Sequence, residues 1–115
     1  MPTYSRGDIV LVDYLYTNGR GSVVRPAIVV STDESNAHSP DSILLAQITT
    51  NLVPPFLSGD FLLTDWRAGH LDKPSKARMT KLVTVQQTEI IKVVGHLSES
   101  DLRSVDENLR LVLGL

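Results

Sequence analysis

The chain has 115 residues, enough for one domain over its whole length, 1–115, and too few for two. With 42% apolar and 21% charged residues it lies near the globular average, which excludes disorder of the chain as a whole. A net charge of −2 gives no general affinity for polyanions, and the absence of cysteine excludes disulfides, zinc–thiolate sites and thiol nucleophiles. No apolar run approaches the ~20 residues that cross a bilayer. Met1-Pro2-Thr3-Tyr4-Ser5-Arg6 lacks the apolar stretch of a signal peptide. A cytoplasmic protein with no membrane partner is expected.

Short β-type runs follow one another along the chain. Ile9-Val10-Leu11-Val12 is apolar and β-branched, between Gly7-Asp8 and the turn-rich Asn18-Gly19-Arg20-Gly21-Ser22. Ala27-Ile28-Val29-Val30-Ser31 reads as a second strand with Pro26 at its entry, where a missing donor does least harm. Thr32 to Asn36 reads as a break, and Ile43 to Thr49 as a third strand. A polar loop with Pro54-Pro55 and Gly59 precedes Phe61-Leu62-Leu63-Thr64, and Arg78 to Thr84 and Ile90 to Gly95 complete the strands. The period then changes: Leu102, Val105, Leu109 and Val112 recur at helical spacing. Ser98 with Asp101 three residues on resembles a capping box. Short strands with one terminal helix point to a mainly β fold, a small, strongly bent β-barrel with a C-terminal α-helix packed on it.

The charge is unevenly spread. From Trp66 to His96 the bases Arg67, Lys73, Lys76, Arg78, Lys81 and Lys92 face only Asp72 and Glu89, whereas Glu99, Asp101, Asp106 and Glu107 follow. A local basic surface before an acidic tail is one reading, and an ordinary solvated surface the other. No metal motif is present: His38, His70 and His96 lie far apart, with no second histidine at helical spacing. His96, at the helix entry, suits a structural role. His70 sits beside a base in Arg67-Ala68-Gly69-His70.

Two stretches carry chemistry. In Arg25-Pro26 the proline biases the arginine to an extended backbone. A guanidinium so held offers a planar fork matched to phosphate oxygens, or to a structural carboxylate. Gln47-Ile48-Thr49-Thr50-Asn51 ends an apolar strand with hydroxyls and amides at a rim where ligands can reach them, although threonine also simply favours strands.

In order and spacing these motifs resemble the MazF/PemK toxins over nearly the whole chain. The matching stretches are Gly7 to Asp13, Arg25-Pro26-Ala27-Ile28-Val29-Val30-Ser31, and the apolar strand ending at Thr49. Lys73-Pro74-Ser75 with Arg78, Lys81 to Val85, and Gly95-His96-Leu97-Ser98 before the last helix complete them. The resemblance implies an SH3-like barrel that pairs as a homodimer. It implies cleavage of single-stranded RNA at a short sequence, with no metal or other cofactor, through attack of the ribose 2′-hydroxyl. It also implies a cognate antitoxin protein as inhibitor. Carried over by position, the catalytic residues are Arg25, Thr49 and Arg78. Arg20, Thr50, Asn51, Arg67, His70, Lys76 and Thr80 are the expected RNA contacts.

Two departures stand out. The first loop, Gly19-Arg20-Gly21-Ser22, has no acid, and Thr80 stands where related toxins often carry Asp or Glu. Either catalysis rests on positioning and charge stabilisation, or a carboxylate elsewhere substitutes, Asp65 and Asp72 being candidates beside His70. Two other readings stay open: a non-catalytic RNA- or protein-binding barrel, and a gyrase-inhibiting toxin on a related fold.

Overall fold

The computed structural model describes residues 3–15 and 22–115. Six strands form one antiparallel sheet: β1 (Asp8–Leu15), β2 (Ser22–Val29), β3 (Ile43–Thr49), β4 (Asp60–Leu62), β5 (Lys76–Val85) and β6 (Ile90–His96). Their order across the sheet is β4-β5-β3-β2-β1-β6. Two helices, α1 (Asp33–His38) and α2 (Glu99–Leu113), and a 3-10 turn over Gln87–Glu89 complete the described elements. The mainly β expectation with a C-terminal helix is met.

Both sides of the sheet are apolar because successive residues of a strand point to opposite faces, and here both positions are filled with Ile, Val, Leu and Ala. Ile9, Ile28, Ala46, Ile48, Ala77 and Met79 face α2, where Val105 is fully buried among them. Leu102, Leu109 and Val112 pack beside it, so the stripe read from the sequence is the face that docks. Val10, Val12, Ala27, Val29, Ile43 and Leu45 form the second core with Val85 of β5 and Ile90 of β6. β5 and β6 stand far apart in the sheet order, yet their side chains meet here. The sheet therefore curls on itself, and the Gln87–Glu89 turn ties its two arms together.

Three local features differ from the sequence reading. Arg25 and Pro26 lie inside β2 rather than at its mouth, paired with Val12 and Leu11 of β1. The β2–β3 ladder ends at Ala27, so Pro26 falls where β2 has a neighbour on one side only. The break expected over Thr32 to Asn36 is the start of α1. Thr32 caps it by accepting from the Ser35 N–H at 3.1 Å, and Asp33 and Glu34 occupy its first turn. Six residues are too few to show a period.

The third difference is Asp101. The Ser98 hydroxyl caps α2 by accepting from the Asp101 N–H at 3.2 Å, as expected, but the Asp101 carboxylate does not turn back to the cap. It accepts from the Thr64 N–H at 2.9 Å, the Thr64 hydroxyl at 2.8 Å and the Asp65 N–H at 3.0 Å. Asp101 is buried, and these bonds pin the segment after β4 to the helix. A few residues on, the Gly69 carbonyl presses against Gly95 of β6 so closely that a Cβ there would lie 2.0 Å from its oxygen.

Asp101→Ala strips three bonds from this junction and leaves partly buried donors unpaired. At about 1–3 kcal/mol for each of the two N–H groups left unsatisfied, the Thr64 hydroxyl being able to turn elsewhere, it is expected to cost about 2–6 kcal/mol in all. Urea unfolding of the variant against wild type measures it. A change below about 0.5 kcal/mol would show that Asp101 does not hold the segment.

Candidate active site

The apolar inner face of the sheet turns polar at one end, and strand register determines which residues meet there. Ala27 pairs with Gln47, Gln47 with Arg78, and Arg78 with Asp60, so one row crosses β2, β3, β5 and β4. In the next row Thr49 pairs with Lys76, and Lys76 with Leu62. Directly opposed residues share a face. Arg25 stands two residues beyond Ala27 on the same face, and the β2–β3 register continued to it places it opposite Thr49. The three positions expected to be catalytic, Arg25, Thr49 and Arg78, thus belong to one patch on three neighbouring strands.

A bulge makes this alignment. Ala46 pairs with Leu82 but Gln47 with Arg78, leaving Met79, Thr80 and Lys81 outside the β3–β5 ladder. Thr80, expected as an RNA contact, lies in the bulge and is exposed.

Arg78 does not stand alone. Its Nε donates to Oδ1 of Asp60 at 3.2 Å, and the Lys76 ammonium lies 3.5 Å from Oδ2. The Leu57 N–H donates to Oδ2 at 2.9 Å. The Asp60 side chain has no exposure to solvent. Burial pushes its carboxyl pKa up, but the Leu57 N–H, the Arg78 guanidinium and the Lys76 ammonium together outweigh that and hold it below the ordinary aspartate range. Lys76, expected to touch RNA, is itself buried. Its Nζ is 4.3 Å from the centre of the Phe56 ring, so it is committed to Asp60 and that ring.

Thr49 is oriented by the chain that follows it. Its Oγ1 accepts from the Asn51 N–H at 3.1 Å, and the hydroxyl keeps its own proton as a donor. The Asn51 side-chain oxygen accepts from the Val53 N–H at 3.1 Å, so Asn51 shapes the loop first.

The remaining expected contacts lie elsewhere. Arg20 falls outside the described residues. Thr50, next to Thr49, points to the opposite face, with Pro26. There both line a pocket of about 470 Å³ with His70, Lys73, Lys92, Asp72 and the apolar Leu11, Leu71 and Val94. His70 is held at a φ of 64° with Nδ1 2.8 Å from the Val94 carbonyl. A carbonyl only accepts, so Nδ1 carries the proton and Nε2 is left unprotonated in the neutral ring. Arg67 lies over the Trp66 ring at 4.9 Å. His96 binds the Asp8 carboxylate at 2.9 Å, in keeping with the structural role read for it.

The two acids considered as substitutes, Asp65 and Asp72, are not in the patch. Asp60 is, and sequence reasoning missed it. Ser58-Gly59-Asp60 reads as turn chemistry, and only the β4–β5 register reveals its partners. Gln47 also joins the patch unannounced. Among the described residues no group of three or more His, Asp and Glu side chains is placed to hold a metal ion. No helix among them is long and apolar enough to cross a membrane.

Comparison with known proteins agrees with this architecture. The chain is 31% identical over 91 residues to the endoribonuclease MazF6 of Mycobacterium tuberculosis, covering 79% of each chain, and equally so to the endoribonuclease MazF2 of Mycobacterium bovis. Its fold matches a mycobacterial endoribonuclease solved in complex with its cognate antitoxin, with a TM-score of 0.79 at 17% identity over 97% of this chain and 96% of that one. It also matches MazF of Deinococcus radiodurans, with a TM-score of 0.76 at 15% identity over the whole of both chains. The family model for the PemK-like, MazF-like toxin of type II toxin–antitoxin systems matches residues 5–113. By that match, and by its likeness to the mycobacterial relatives, the chain belongs to this toxin family.

Proposed function

We propose that the chain is an endoribonuclease toxin that cleaves single-stranded RNA, such as mRNA, at a short sequence, without a metal ion, and that a cognate antitoxin neutralises it. The observation that carries the reading is that Arg25, Thr49 and Arg78 share one sheet face, with the Thr49 hydroxyl accepting from the Asn51 N–H. Support comes from the relatives named endoribonuclease and from the solved neighbour bound to its antitoxin.

The reaction follows from what the patch offers. The ribose 2′-oxygen forms a bond to the adjacent phosphorus and the bond to the 5′-oxygen breaks. The 2′-hydroxyl gives its proton to water and the leaving 5′-oxygen takes one from water. The products are a 2′,3′-cyclic phosphate and a 5′-hydroxyl. Negative charge grows on the phosphoryl oxygens as the new bond forms. Arg25 and the terminal nitrogens of Arg78 meet that charge, and Thr49 donates to one oxygen and fixes the phosphate. Asp60 is not the base, since its oxygens are taken by Leu57, Arg78 and Lys76 and its side chain is fully enclosed. Catalysis in this chain rests on positioning and charge stabilisation.

Losing one preorganised donor typically costs about 10²–10³ in turnover. Arg25→Ala is expected to lower the cleavage rate of a short fluorogenic RNA by that factor with its melting temperature kept. Arg25→Lys restores little, because it keeps the charge and loses the fork. A folded Arg25→Ala protein that cleaves at the wild-type rate would remove Arg25 from the mechanism.

The chemistry itself is tested on the substrate. RNA carrying a single 2′-deoxy sugar at the scissile position stays intact, and cleavage of all-ribose RNA persists in excess EDTA. Cleavage of the deoxy-substituted strand would make water the nucleophile, and loss of activity in EDTA restored by magnesium would make the enzyme metal-dependent.

The patch is shallow for holding several nucleotides on one small sheet. A two-fold homodimer, with the same surface used by both copies, doubles the available wall. Sedimentation at micromolar concentration is expected to give twice the monomer mass, and monomer alone would overturn the pairing.

A further inference from the structure

We propose that Asp60 is the positioning residue of the site: it fixes the Arg78 guanidinium through Nε and so presents the terminal nitrogens of that side chain to the scissile phosphate. The inference rests on the reading of the chain as a ribonuclease that uses Arg78.

The geometry supports this at three points. Arg78 meets Asp60 through Nε alone, at 3.2 Å, and that is its one described side-chain hydrogen bond. A guanidinium has five donors in a rigid plane. Holding the inner one sets the plane and leaves the outer four, which are the ones that chelate a phosphate. Second, the carboxylate cannot swing. Its other oxygen takes the Leu57 N–H at 2.9 Å and lies 3.5 Å from Lys76, and its side chain is fully enclosed. The Arg78 side chain is still 21% exposed, so the anchored fork reaches the surface.

Third, the charges are unequal by design of the cluster. One carboxylate faces two cations, Arg78 and Lys76. With Arg78 as the sole partner, Asp60 would cancel the positive potential meant for the phosphate. The buried Lys76 offsets the carboxylate, and the trio keeps a net positive charge beside Thr49, the Cα partner of Lys76. The same carboxylate ties Leu57, and through Lys76 the Phe56 ring, to the site. Asp60 thus sets the Arg78 fork and the neighbouring loop together.

A double-mutant cycle separates this role from a purely structural one, since it isolates the coupling between two residues. Steady-state cleavage of a short RNA is measured for wild type, Asp60→Asn, Arg78→Ala and the double variant. Asp60→Asn keeps the shape and removes the charge. It is expected to lower kcat about tenfold while KM moves less than about threefold, and to change kcat less than about twofold once Arg78 is already alanine. In parallel, the Arg78 Nε–H resonance is expected to be protected from exchange in wild type and to exchange faster in Asp60→Asn, whose neutral amide oxygen is the weaker acceptor. If Asp60→Asn does not fold, Asp60→Glu, which keeps the charge but moves the acceptor by one methylene and so shifts the Arg78 fork, is expected to lower kcat at least about threefold with Arg78 present and less than about twofold with Arg78→Ala. Equal kcat losses in both Arg78 backgrounds would make Asp60 a structural residue only, and a folded variant with wild-type kcat would remove it from the site. A wild-type protein that leaves RNA intact would instead remove the ribonuclease reading on which this inference rests.

Discussion

The site depends on a change of register between β3 and β5. Above the bulge Ala46 faces Leu82, and below it Gln47 faces Arg78. Had the upper register run on, Gln47 would meet Lys81 and Thr49 would meet Met79. Met79 is fully buried under α2, so that register would drag a core residue onto the polar face. The three extra residues let Met79 stay in the core while Arg78 and Lys76 reach the patch on the other side. Gly59 helps from below. Its carbonyl accepts from the Met79 N–H at 3.0 Å, and its φ of 85° is one that glycine adopts without strain. A Cβ there would also lie 2.7 Å from Val112 of α2. Core packing and site geometry are therefore two results of one bulge.

Two buried carboxylates show how differently the same group is used. Asp101 is satisfied by N–H and O–H donors and locks a loop to a helix. Asp60 is held by one backbone N–H and two cations. Removing ions from water is costly unless their mutual attraction and further hydrogen bonds compensate, so such clusters are weak sources of stability. What this one provides is fixed charge at a defined place. The cations outnumber the anion, which leaves the cluster with a net positive charge.

Much of this was legible in the sequence. The third strand was read with the limits the structure gives it, Ile43 to Thr49, because a pure apolar run ends there in polar residues. The α2 stripe was legible from its period, and a spacing shared with a known family pointed to Thr49 and Arg78, which the β3–β5 register brings to one face. α1 was not legible, since six residues carry caps but no period. Nor was Asp60. Nothing local distinguishes a turn aspartate from one that a β4–β5 ladder places against Arg78. Lys76 was misjudged for a related reason: composition counts it among surface bases, whereas its register position opposite Thr49 and Leu62 buries it. What failed to show was long-range pairing, which no window along the chain contains.

Alternation along the strands has one more consequence. Thr49 and Thr50 are neighbours in sequence, as are Arg25 and Pro26, yet each pair divides between the two faces of the sheet. Arg25, Thr49 and Arg78 belong to one face, and Thr50, His70, Lys73 and Lys92 surround the pocket on the other. One face carries the guanidinium groups of Arg25 and Arg78, and the other an apolar floor of Leu11, Pro26, Leu71 and Val94 with the amines of Lys73 and Lys92 beside it. The division follows from strand alternation alone, and Pro26, on the pocket side, stiffens the backbone next to Arg25 on the other.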